Sequence, residues 1–533
     1  MDIKSYTIKR LLIGVMLLFC INAFTQTYEW DKTMFFSAGD QLAIMDNNHK
    51  IITGRFEGSM TYQGITLTSA LYYGVFIAKL DEHDSLIWIK KIAESPYDSQ
   101  LIPIQSLEVD ENFNFYLTLD FRDSIFVDGQ VYIANTIVNG YKQSLLLKFD
   151  ANGNIIQDFY FDGSCSKGIR GVQIDNQQNV YIYGAYGNDN FWTTASCNCI
   201  FDGTSHTTTS TDIFLAKYDS LGSLLWLNTF EANHNINPIG FNISGNSIYL
   251  SGTVYNSNIA IDFGSFILTY PINYDKGGFM AKYDTDGTFK WAKYYGAKGW
   301  DSNVYPYDIA ILNSNTIVVG GFVRTQSESA HLYFQNSSPL TRNSLGAEFN
   351  YFLIAYDSLG NIKWKDLAQC SGWDGIYAMS SDSKSNLYVT GYYNNQLFFG
   401  NDTLPNAGDD LFVAAFDSNG INLWAKKAGE NGGTYALDIE VDSEDNIYVN
   451  GYTYSNPIVF EDTSYLINTS PSVFIAKMVP SIISSTTNIQ AVNPNKELLK
   501  IVDILGRESK SQSNVLLIYI YSDGTVEKRI VIE

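Results

Sequence analysis

The chain has few of the residues on which disulfide-rich, metal-dependent and membrane-spanning proteins rely. It contains 5 cysteines, 5 histidines and 11 prolines among 533 residues. So few cysteines cannot form the covalent framework of a chain this long. The histidines are scattered and form no His-Glu-x-x-His pattern. After residue 25, no stretch is long and apolar enough for a transmembrane helix.

The sequence also lacks the local motifs of several enzyme classes. It has no Gly-x-Ser-x-Gly elbow in a strand-to-helix setting and no glycine-rich loop of the kind that holds phosphates. Aspartate and glutamate total 56, so that pairs of acidic residues arise by chance. We therefore predict no catalytic residues, no metal ligands and no cofactor.

The first 25 residues resemble a secretory signal peptide. Lys4, Lys9 and Arg10 precede an apolar segment at 11–21 that is too short to span a bilayer comfortably. The formal net charge is −22, which repels phosphate backbones and argues against a nucleic-acid partner. We expect a protein that is secreted or held at the outer cell surface.

What the chain does contain is a unit that recurs seven times. Aromatic residues are frequent (37 Tyr, 32 Phe and 9 Trp), as is typical of short strands. Each unit has a strand a, an alternating strand b that usually ends in glycine, a strand c, an Asp-Gly turn and a strand d that usually carries Trp, as at Trp226 and Trp424. Four-stranded units repeated every 60 to 73 residues predict an all-β fold, a seven-bladed β-propeller.

The seventh unit is divided between the two ends of the chain. Residues 473–479 form a strand c with no strand d after it, whereas residues 28–32 form a strand d with nothing before it. An open array needs no such division. We therefore predict that the N-terminal and C-terminal strands close the ring, with Trp30 in the last blade.

Two features of the repeat have simple structural explanations. The Asp that ends strand c bonds its own backbone, and the following Gly supplies a positive φ. Residues 284–287 faintly resemble a calcium loop, but the further ligands are missing, which favours a turn. The second unit has Gln157 in place of Trp and Leu119 in place of Gly, and we interpret it as a degenerate repeat.

The repeat resembles a known bacterial family. Its pattern, Asp-x-x-x-Asn-x-Tyr-Val-x-Gly followed by Phe-x-Ala-Lys-Tyr-Asp-x-x-Gly-x-x-x-Trp, is similar to the seven-bladed SBBP propeller repeat. The likeness covers roughly residues 27–480 and is clearest at 372–454. That family has no uniform activity, so the resemblance implies a fold and no catalytic residues.

The C-terminal tail resembles a second family. Residues 503–507 (Asp-Ile-Leu-Gly-Arg), the hairpin at 519–524 and the ending at 528–531 are similar to the C-terminal sorting domain of the type IX secretion system of Bacteroidetes. The resemblance implies that this machinery is a partner. The domains expected are a signal peptide (1–25), a propeller (26–480), a linker (481–495) and the sorting domain (496–533), which the strand pattern predicts to be a small β-sandwich.

Three cysteines fall in one repeat. Cys165 could form a disulfide with Cys197 or with Cys199, because export permits one. The spacing of Cys197 and Cys199 alone is weak evidence for a metal.

The candidate ligand-binding residues lie in the longer connections, b–c and d–a, which emerge on one face of the ring. They are Trp192 in a b–c loop, and Trp300, Asp301, Trp373 and Asp374 in two d–a loops that share Gly-Trp-Asp. Exposed Trp beside Asp suits stacking and hydrogen bonding to a sugar or a peptide. The alternative is that both d–a tryptophans pack against the neighbouring blade.

Three functions follow from these features. The first is a monomeric, non-enzymatic binding module for a glycan or a protein. The second is an extracellular polysaccharide hydrolase or lyase, which requires two or more acids at the mouth of the central channel. The third is a quinone-dependent dehydrogenase, which the seven units and the lack of a cofactor constellation argue against.

Overall fold

The structure is a computed structural model. It describes residues 27–36, 41–45, 48–96, 104–134, 142–187, 196–232, 234–255, 259–270, 274–298, 303–313, 315–325, 329–343, 348–370, 372–400, 402–405, 408–430, 433–461, 463–466, 472–481, 498–502, 507–510, 516–521 and 526–530. The chain forms two compact units, Met1–Pro480 and Ser481–Glu533. Over these ranges the regular structure is all β-strand, and none of it is a helix able to cross a membrane.

The strands are numbered in chain order. The first group is β1 (Thr27–Phe36), β2 (Gln41–Ile44), β3 (Lys50–Tyr62), β4 (Ile65–Leu80), β5 (Leu86–Ser95), β6 (Ile104–Val109), β7 (Phe115–Phe121), β8 (Ser124–Val127), β9 (Gln130–Ile133), β10 (Gln143–Phe149) and β11 (Ile155–Tyr160). The second is β12 (Asp162–Gly163), β13 (Ser166–Ile174), β14 (Val180–Gly187), β15 (Cys197–Phe201), β16 (Thr204–Thr208), β17 (Thr211–Tyr218), β18 (Leu224–Ala232), β19 (Ile236–Ser244), β20 (Ser247–Val254), β21 (Ala260–Asp262), β22 (Ile267–Thr269), β23 (Tyr274–Asp284) and β24 (Phe289–Lys298).

The third group is β25 (Asn303–Asn313), β26 (Thr316–Thr325), β27 (Ser329–Phe334), β28 (Ser337–Asn343), β29 (Glu348–Tyr356), β30 (Ile362–Leu367), β31 (Gln369–Cys370), β32 (Asp374–Ser381), β33 (Leu387–Tyr393), β34 (Leu397–Phe399), β35 (Asp402–Leu404), β36 (Asp410–Phe416) and β37 (Asn422–Ala428). The last is β38 (Thr434–Val441), β39 (Ile447–Thr453), β40 (Ile458–Phe460), β41 (Thr463–Tyr465), β42 (Ser472–Ser481), β43 (Leu498–Val502), β44 (Leu516–Tyr521) and β45 (Val526–Ile530).

Seven antiparallel sheets form the blades of a β-propeller, as the repeat predicts. In strand order a to d, blades 1 to 7 are β2-β3-β4-β5, β6-β7-β10-β11, β13-β14-β17-β18, β19-β20-β23-β24, β25-β26-β29-β30, β32-β33-β36-β37 and β38-β39-β42-β1. Each strand a contacts strand a of the next blade, and the circuit closes from β38 back to β2. Seven sheets in a closed circuit are the fold that the sequence predicts.

The ring closes through the chain's first described strand. β1 pairs with β42, so the N-terminal strand is strand d of blade 7. Tyr28 is fully buried there, and Trp30 is half-buried with its ring edge-on to Phe460 at a centroid distance of 4.8 Å. The closure predicted from the divided seventh unit is confirmed.

The b–c connections differ from the loops that the sequence suggests. In six blades they form hairpins that reach back to the outer edge of the preceding blade. β8-β9, β21-β22, β27-β28 and β40-β41 extend the sheets of β5, β18, β24 and β37, while β15-β16 and β34-β35 pair with the short strands β12 and β31. Each hairpin covers an open edge, which removes a template for pairing with other chains.

The strand d tryptophan of one blade packs on the c–d turn of the next. Trp364 donates a hydrogen bond from Nε1 to the carbonyl oxygen of Ser418 at 3.0 Å, and Trp291 does so to Ser358 at 3.1 Å. The Asp417 carboxylate accepts the backbone N–H groups of residues 419 and 421, as the turn chemistry predicts. The repeat pattern of Asp, Gly and Trp therefore encodes the contact between blades.

The C-terminal unit contains a three-stranded antiparallel sheet in the order β43-β44-β45. Leu517, Tyr519 and Tyr521 of its central strand are buried, and Ile501 packs against them. The predicted sandwich needs a second layer, whereas the described residues of this unit form one sheet. Residues 503–506 and 522–525, which carry much of the sorting-domain resemblance, lie outside the described residues, as do the signal peptide and residues 482–495 of the linker.

Candidate functional site

The innermost strands carry a β-bulge at the same place in six blades. In blades 3, 5, 6 and 7 one residue is extra, and these residues are Arg170, Tyr307, Tyr377 and Leu437. In blades 2 and 4 the pairing of strand a with strand b shifts by one residue, and two residues of strand a are left without a pairing partner in strand b. A bulge turns a side chain away from the regular alternation. All four extra residues line the central channel.

The glycine that ends strand b is explained by the same bulge. A Cβ atom on Gly391 or Gly451 would collide with the carbonyl oxygen of Gly375 or Tyr435 in the adjoining strand a. The close approach of two backbones that the sequence indicates is therefore confirmed. The bulge in strand a therefore turns one residue towards the channel and requires a glycine opposite it in strand b.

The channel itself is a cavity of about 610 Å³ lined by strand a of every blade. Its volume falls within the range of roughly 300–1,000 Å³ that is usual for small-molecule sites. One opening lies on the loop-bearing face, where strand a begins and strand b ends. We call this opening the channel mouth.

A continuous network of rings, the aromatic arc, covers the mouth at blades 5 to 7. Its members are Tyr305, Tyr307, Phe322, Phe349, Trp373, Tyr377, Tyr392, Tyr435, Tyr452 and Tyr454. Centroids of neighbouring rings lie between 4.6 Å (Tyr307 to Tyr377) and 5.8 Å (Tyr452 to Tyr454) apart. Contact at these distances holds each ring in place.

Three members of the arc keep large exposed surfaces. Tyr307 is 39% exposed, Trp373 is 49% exposed and Tyr454 is 52% exposed. Clustered, exposed aromatic rings beside a cavity are unusual for a surface without a partner. They offer apolar faces together with polar hydroxyl groups.

The hydroxyls of Tyr435 and Tyr377 in the arc have raised pKa values. Burial, followed by the Asp409 carboxylate, raises the pKa of Tyr435 to about 12. Its hydroxyl donates to Asp409 Oδ2 at 3.1 Å, and Asn394 Nδ2 donates to the other carboxylate oxygen at 3.1 Å. Burial also raises the pKa of Tyr377. At neutral pH these tyrosines are therefore hydrogen-bond donors.

Two basic side chains lie near the mouth at blades 3 and 4, with Lys276 beside Tyr305 at the end of the arc. Arg170 Nη1 lies 3.1 Å from Asp120 Oδ2, and Ser144 donates to the second oxygen of this buried carboxylate. Burial raises the pKa of Asp120, and Arg170 opposes that rise. Lys276 Nζ lies 5.4 Å from the Tyr255 ring centroid and 5.5 Å from that of Tyr305. The Asp120 contact fixes Arg170 at the channel wall.

Four carboxyl groups line the channel below the arc. Burial raises the pKa of Glu108 to about 8, that of Asp308 to about 7 and that of Asp438 to about 6. The pKa of Glu440 is also raised, first by burial and then by Asp438 and Glu108. These groups are half-buried, because they reach water only along the channel. Glu108, with the pKa of about 8, therefore keeps its proton at neutral pH.

Two of these carboxyls also have structural roles. Asp308 Oδ2 accepts the backbone N–H of Met379 in the next blade at 2.7 Å. Glu108 Oε1 accepts the side-chain amide of Gln173 at 2.9 Å, again across a blade boundary. The carboxyls therefore join strand a to its neighbour as well as setting the charge of the channel.

The structure describes two of the five ligand-binding residues predicted from the loops. Trp192, Trp300 and Asp301 lie outside the described residues. Trp373 is on the loop-bearing face and contacts Phe349 of the neighbouring blade at a centroid distance of 5.1 Å. Asp374 is fully buried, and its Oδ1 accepts the backbone N–H of Tyr351 at 2.6 Å.

The open question of the disulfide is resolved in favour of one pairing. Cys165 is bonded to Cys197, with Cα atoms 4.9 Å apart. Cys199, two residues along β15, is buried and outside the bridge. The bridge joins the start of blade 3 to the hairpin that covers blade 2.

Comparisons with known proteins concern the fold. No protein-family model matches the chain. The chain is 25% identical over 455 residues to an uncharacterized WD repeat-containing protein of Acanthamoeba polyphaga mimivirus, a match covering 73% of this chain and 32% of that protein. The chain thus spans about a third of the length of this curated relative.

Among solved structures, the fold is similar to the polysaccharide lyase Uly1, with a TM-score of 0.41 and 8% identity, covering 86% of this chain and 94% of that chain. Drosophila Semaphorin 2a is similar with a TM-score of 0.36 and 7% identity, and the match covers 80% of this chain and 74% of that chain. Drosophila Plexin A, in complex with Semaphorin 1b, has a TM-score of 0.32 and 8% identity, and the match covers 84% of this chain and 88% of that chain. The closed ring of seven sheets itself defines the class of this protein, a seven-bladed β-propeller.

Proposed function

We propose that this protein is a non-enzymatic glycan-binding propeller whose site is the channel mouth. The observation that carries the proposal is the aromatic arc, with Tyr307 and Tyr377 turned towards the channel by their bulges. The apolar face of a sugar ring stacks on aromatic rings, while its hydroxyls need donors and acceptors nearby.

The polar groups around the arc support a sugar rather than an apolar ligand. The Tyr435 hydroxyl and the Asp409 carboxylate form a fixed donor and acceptor pair beside the rings. Arg170 at blade 3 and Lys276, which donates to the Tyr305 hydroxyl at the end of the arc, provide further donors. A ligand bound there meets both apolar faces and hydrogen-bonding groups.

Export and a place outside the cell are part of the proposal. The basic and apolar pattern of residues 1–25 supports a signal peptide, and the tail motifs support delivery by the type IX machinery as a sorting-domain protein. Membership of the SBBP repeat family rests on the repeat pattern. Fractionation of cells with and without residues 496–533 tests the export route, since loss of the tail should retain the protein in the periplasm.

A glycan array tests the binding proposal. The chain without residues 1–25 is applied to the array, and any bound glycan is then incubated with the protein and analysed for shorter products. Binding without product supports the proposal. A protein partner, or no glycan bound on an array of surface and cell-wall sugars, contradicts it.

The channel carboxyls favour one second candidate, a polysaccharide hydrolase or lyase. Glycoside hydrolysis needs a protonated acid beside an ionised carboxylate, and the raised pKa of Glu108 supplies the first. The charges of Asp438 and Asp308, which also line the channel, add to the rise in the Glu108 pKa. New reducing ends, or unsaturated products absorbing in the ultraviolet, would favour this candidate.

A further inference from the structure

Lys276 stands at the blade 4 end of the aromatic arc. It is the third residue of β23, strand c of blade 4, and strand c begins on the loop-bearing face. Its Nζ lies between two rings, 5.4 Å from the Tyr255 centroid and 5.5 Å from the Tyr305 centroid, and it donates a hydrogen bond to the Tyr305 hydroxyl at 3.4 Å. Because Tyr305 packs on Phe322 with ring centroids 4.9 Å apart, the ammonium group adjoins the arc directly.

This ammonium group forms no ion pair with a carboxylate of the described residues. By contrast, Lys427 Nζ lies 3.2 Å from Asp410 Oδ2 on the same face of the ring, in blade 6. Aromatic faces attract a cation but do not neutralise its charge. Lys276 therefore presents a positive charge at the mouth that an anion can pair with.

A second positive charge lies close to Tyr255. Burial, followed by Tyr305, raises the pKa of Tyr255, and the Arg170 guanidinium opposes that rise. Arg170 is itself paired with the buried Asp120 carboxylate at 3.1 Å, which balances its charge. The charge of Lys276 has no such counterpart in the part of the chain that the structure describes.

The two ends of the arc carry opposite charge. The Asp409 carboxylate accepts the Tyr435 hydroxyl at the far end, whereas Lys276 stands at the blade 4 end. Burial raises the pKa of Glu108 in the channel to about 8, so that this carboxyl is uncharged at neutral pH. A negative group bound at Lys276 is thus separated from Asp409 by the rings of the arc and is not repelled by Glu108.

We propose that the glycan bound at the channel mouth is acidic and that its negative group, a carboxylate or a sulfate, pairs with Lys276. This specificity rests on the proposed glycan binding, which it narrows to one chemical class. An ammonium group acts as a point charge and accepts either anion without the bidentate geometry that suits arginine. Sugar rings next to the charged unit can stack on the arc, so that one ligand uses both features.

An array of sugar chains in matched neutral and acidic forms tests the class of glycan. Chains of glucose, galactose and mannose are each presented unmodified, as uronates and as sulfate esters, and the chain without residues 1–25 is applied. Acidic forms should be retained and their neutral counterparts should bind about tenfold more weakly or less. Comparing the uronates with the sulfate esters identifies which anion the site takes.

Variants at two lysines of the same strand test the residue. Lys276→Met keeps the length of the side chain and should bind the preferred acidic glycan about tenfold more weakly, while Lys276→Arg should restore most of the affinity. Lys282→Met is the matched control, because Lys282 is also half-buried with Nζ 5.4 Å from a tyrosine centroid, that of Tyr249, but it bonds Ser358 on the opposite face. It should bind as wild type does.

Salt dependence supplies a second measurement by calorimetry. Raising the NaCl concentration should weaken acidic-glycan binding more steeply in wild type than in Lys276→Met, with the circular dichroism spectra of both unchanged. Equal affinity in Lys276→Met and Lys282→Met, or neutral chains bound as tightly as their acidic forms, would overturn the pairing with Lys276 and leave the glycan site in place. An array that retains no chain, neutral or acidic, would remove the proposed function and this specificity together.

Discussion

Tyr28 lies against Trp424, with ring centroids 5.3 Å apart, although 396 positions separate them in the sequence. The Tyr28 hydroxyl is also within 3.0 Å of the Tyr388 hydroxyl. Tyr28 belongs to the first described strand, whereas Tyr388 and Trp424 belong to blade 6. The N-terminal strand therefore completes blade 7 and seals it against the preceding blade.

Loss of the Tyr28 ring should destabilise the propeller strongly. Replacing a large buried aromatic residue by alanine typically costs about 3–5 kcal/mol, so Tyr28→Ala should show a much lower free energy of unfolding in urea. Tyr28→Phe loses only the hydroxyl contact and should cost about 1 kcal/mol.

Tyr72→Ala is the matched control for this change, since Tyr72 is an exposed tyrosine of blade 1. Its effect should stay within about 0.5 kcal/mol. If Tyr28→Ala costs no more than Tyr72→Ala, the N-terminal strand does not close the ring.

The contact between Trp364 and Gly420 should be sensitive to a single methyl group. Gly420 has φ +80, and an added Cβ atom would lie 2.5 Å from Trp364 Cδ2. Gly264 has a similar φ of +83 with nothing within 4 Å of the added atom. Gly264→Ala therefore measures the cost of the backbone conformation alone, about 1–2 kcal/mol.

Gly420→Ala should cost more than Gly264→Ala by about 1–3 kcal/mol, because the methyl group also displaces the tryptophan. Chemical unfolding with tryptophan fluorescence measures both changes. Equal costs for the two variants would show that the packing of Trp364 on the turn contributes little.

The channel carboxyls should make the protein less stable as the pH rises. The folded chain retains a proton on Glu108 up to about pH 8, whereas an unfolded glutamate loses it near pH 4.5. The stabilising effect of that proton is complete below the unfolded pKa and is lost as the pH rises towards 8, with a slope of at most about 1.4 kcal/mol per pH unit.

Glu108→Gln removes this titration and keeps an amide that can bond Gln173. The variant should match wild type near pH 5 and exceed its stability at pH 8. The control is Glu444→Gln, an exposed carboxyl in the β38–β39 turn. Asp308 and Asp438 titrate over the same range, so a smaller slope should remain in Glu108→Gln. An unchanged pH profile would contradict the burial of Glu108.

The disulfide should involve Cys165 and Cys197 and leave Cys199 as a thiol. The bridge closes a segment with a sequence separation of 32, for which chain entropy gives about 3–4 kcal/mol. The double variant Cys165→Ala and Cys197→Ala should be less stable by roughly that amount. Non-reducing peptide mapping of Cys199→Ala should still recover the bridge, and a peptide linking Cys165 to Cys199 in wild type would contradict the pairing.

The blade architecture was predictable because its signals are local. Asp417, Gly420 and Trp424 stand within one turn and its flanking strand, and the same pattern recurs along the chain. The b–c hairpins were not predictable in this way. Strands as short as Ala260–Asp262 and Ile267–Thr269 carry little alternation, and the pairing of their hairpin with the preceding blade joins residues far apart in the sequence.

The site was harder to predict than the fold. Trp373 was predicted on the loop-bearing face, where it is exposed, but Asp374 beside it is buried and accepts the backbone N–H of Tyr351. Tyr307 and Tyr377 were missed, because strict alternation gives no reason to turn them into the channel. Their signal is indirect: the glycine ending strand b marks the bulge. The sequence of a single blade does not show that strand a of all seven blades lines one channel, because that arrangement arises only when the ring is closed.

The most direct test of the functional account is the affinity of an array-identified glycan for three proteins, measured by calorimetry. Wild type and Tyr72→Ala should bind equally well. The double variant Tyr307→Ala and Tyr377→Ala should bind at least tenfold more weakly while its circular dichroism spectrum stays unchanged. Equal affinity in all three proteins would contradict a binding site at the channel mouth.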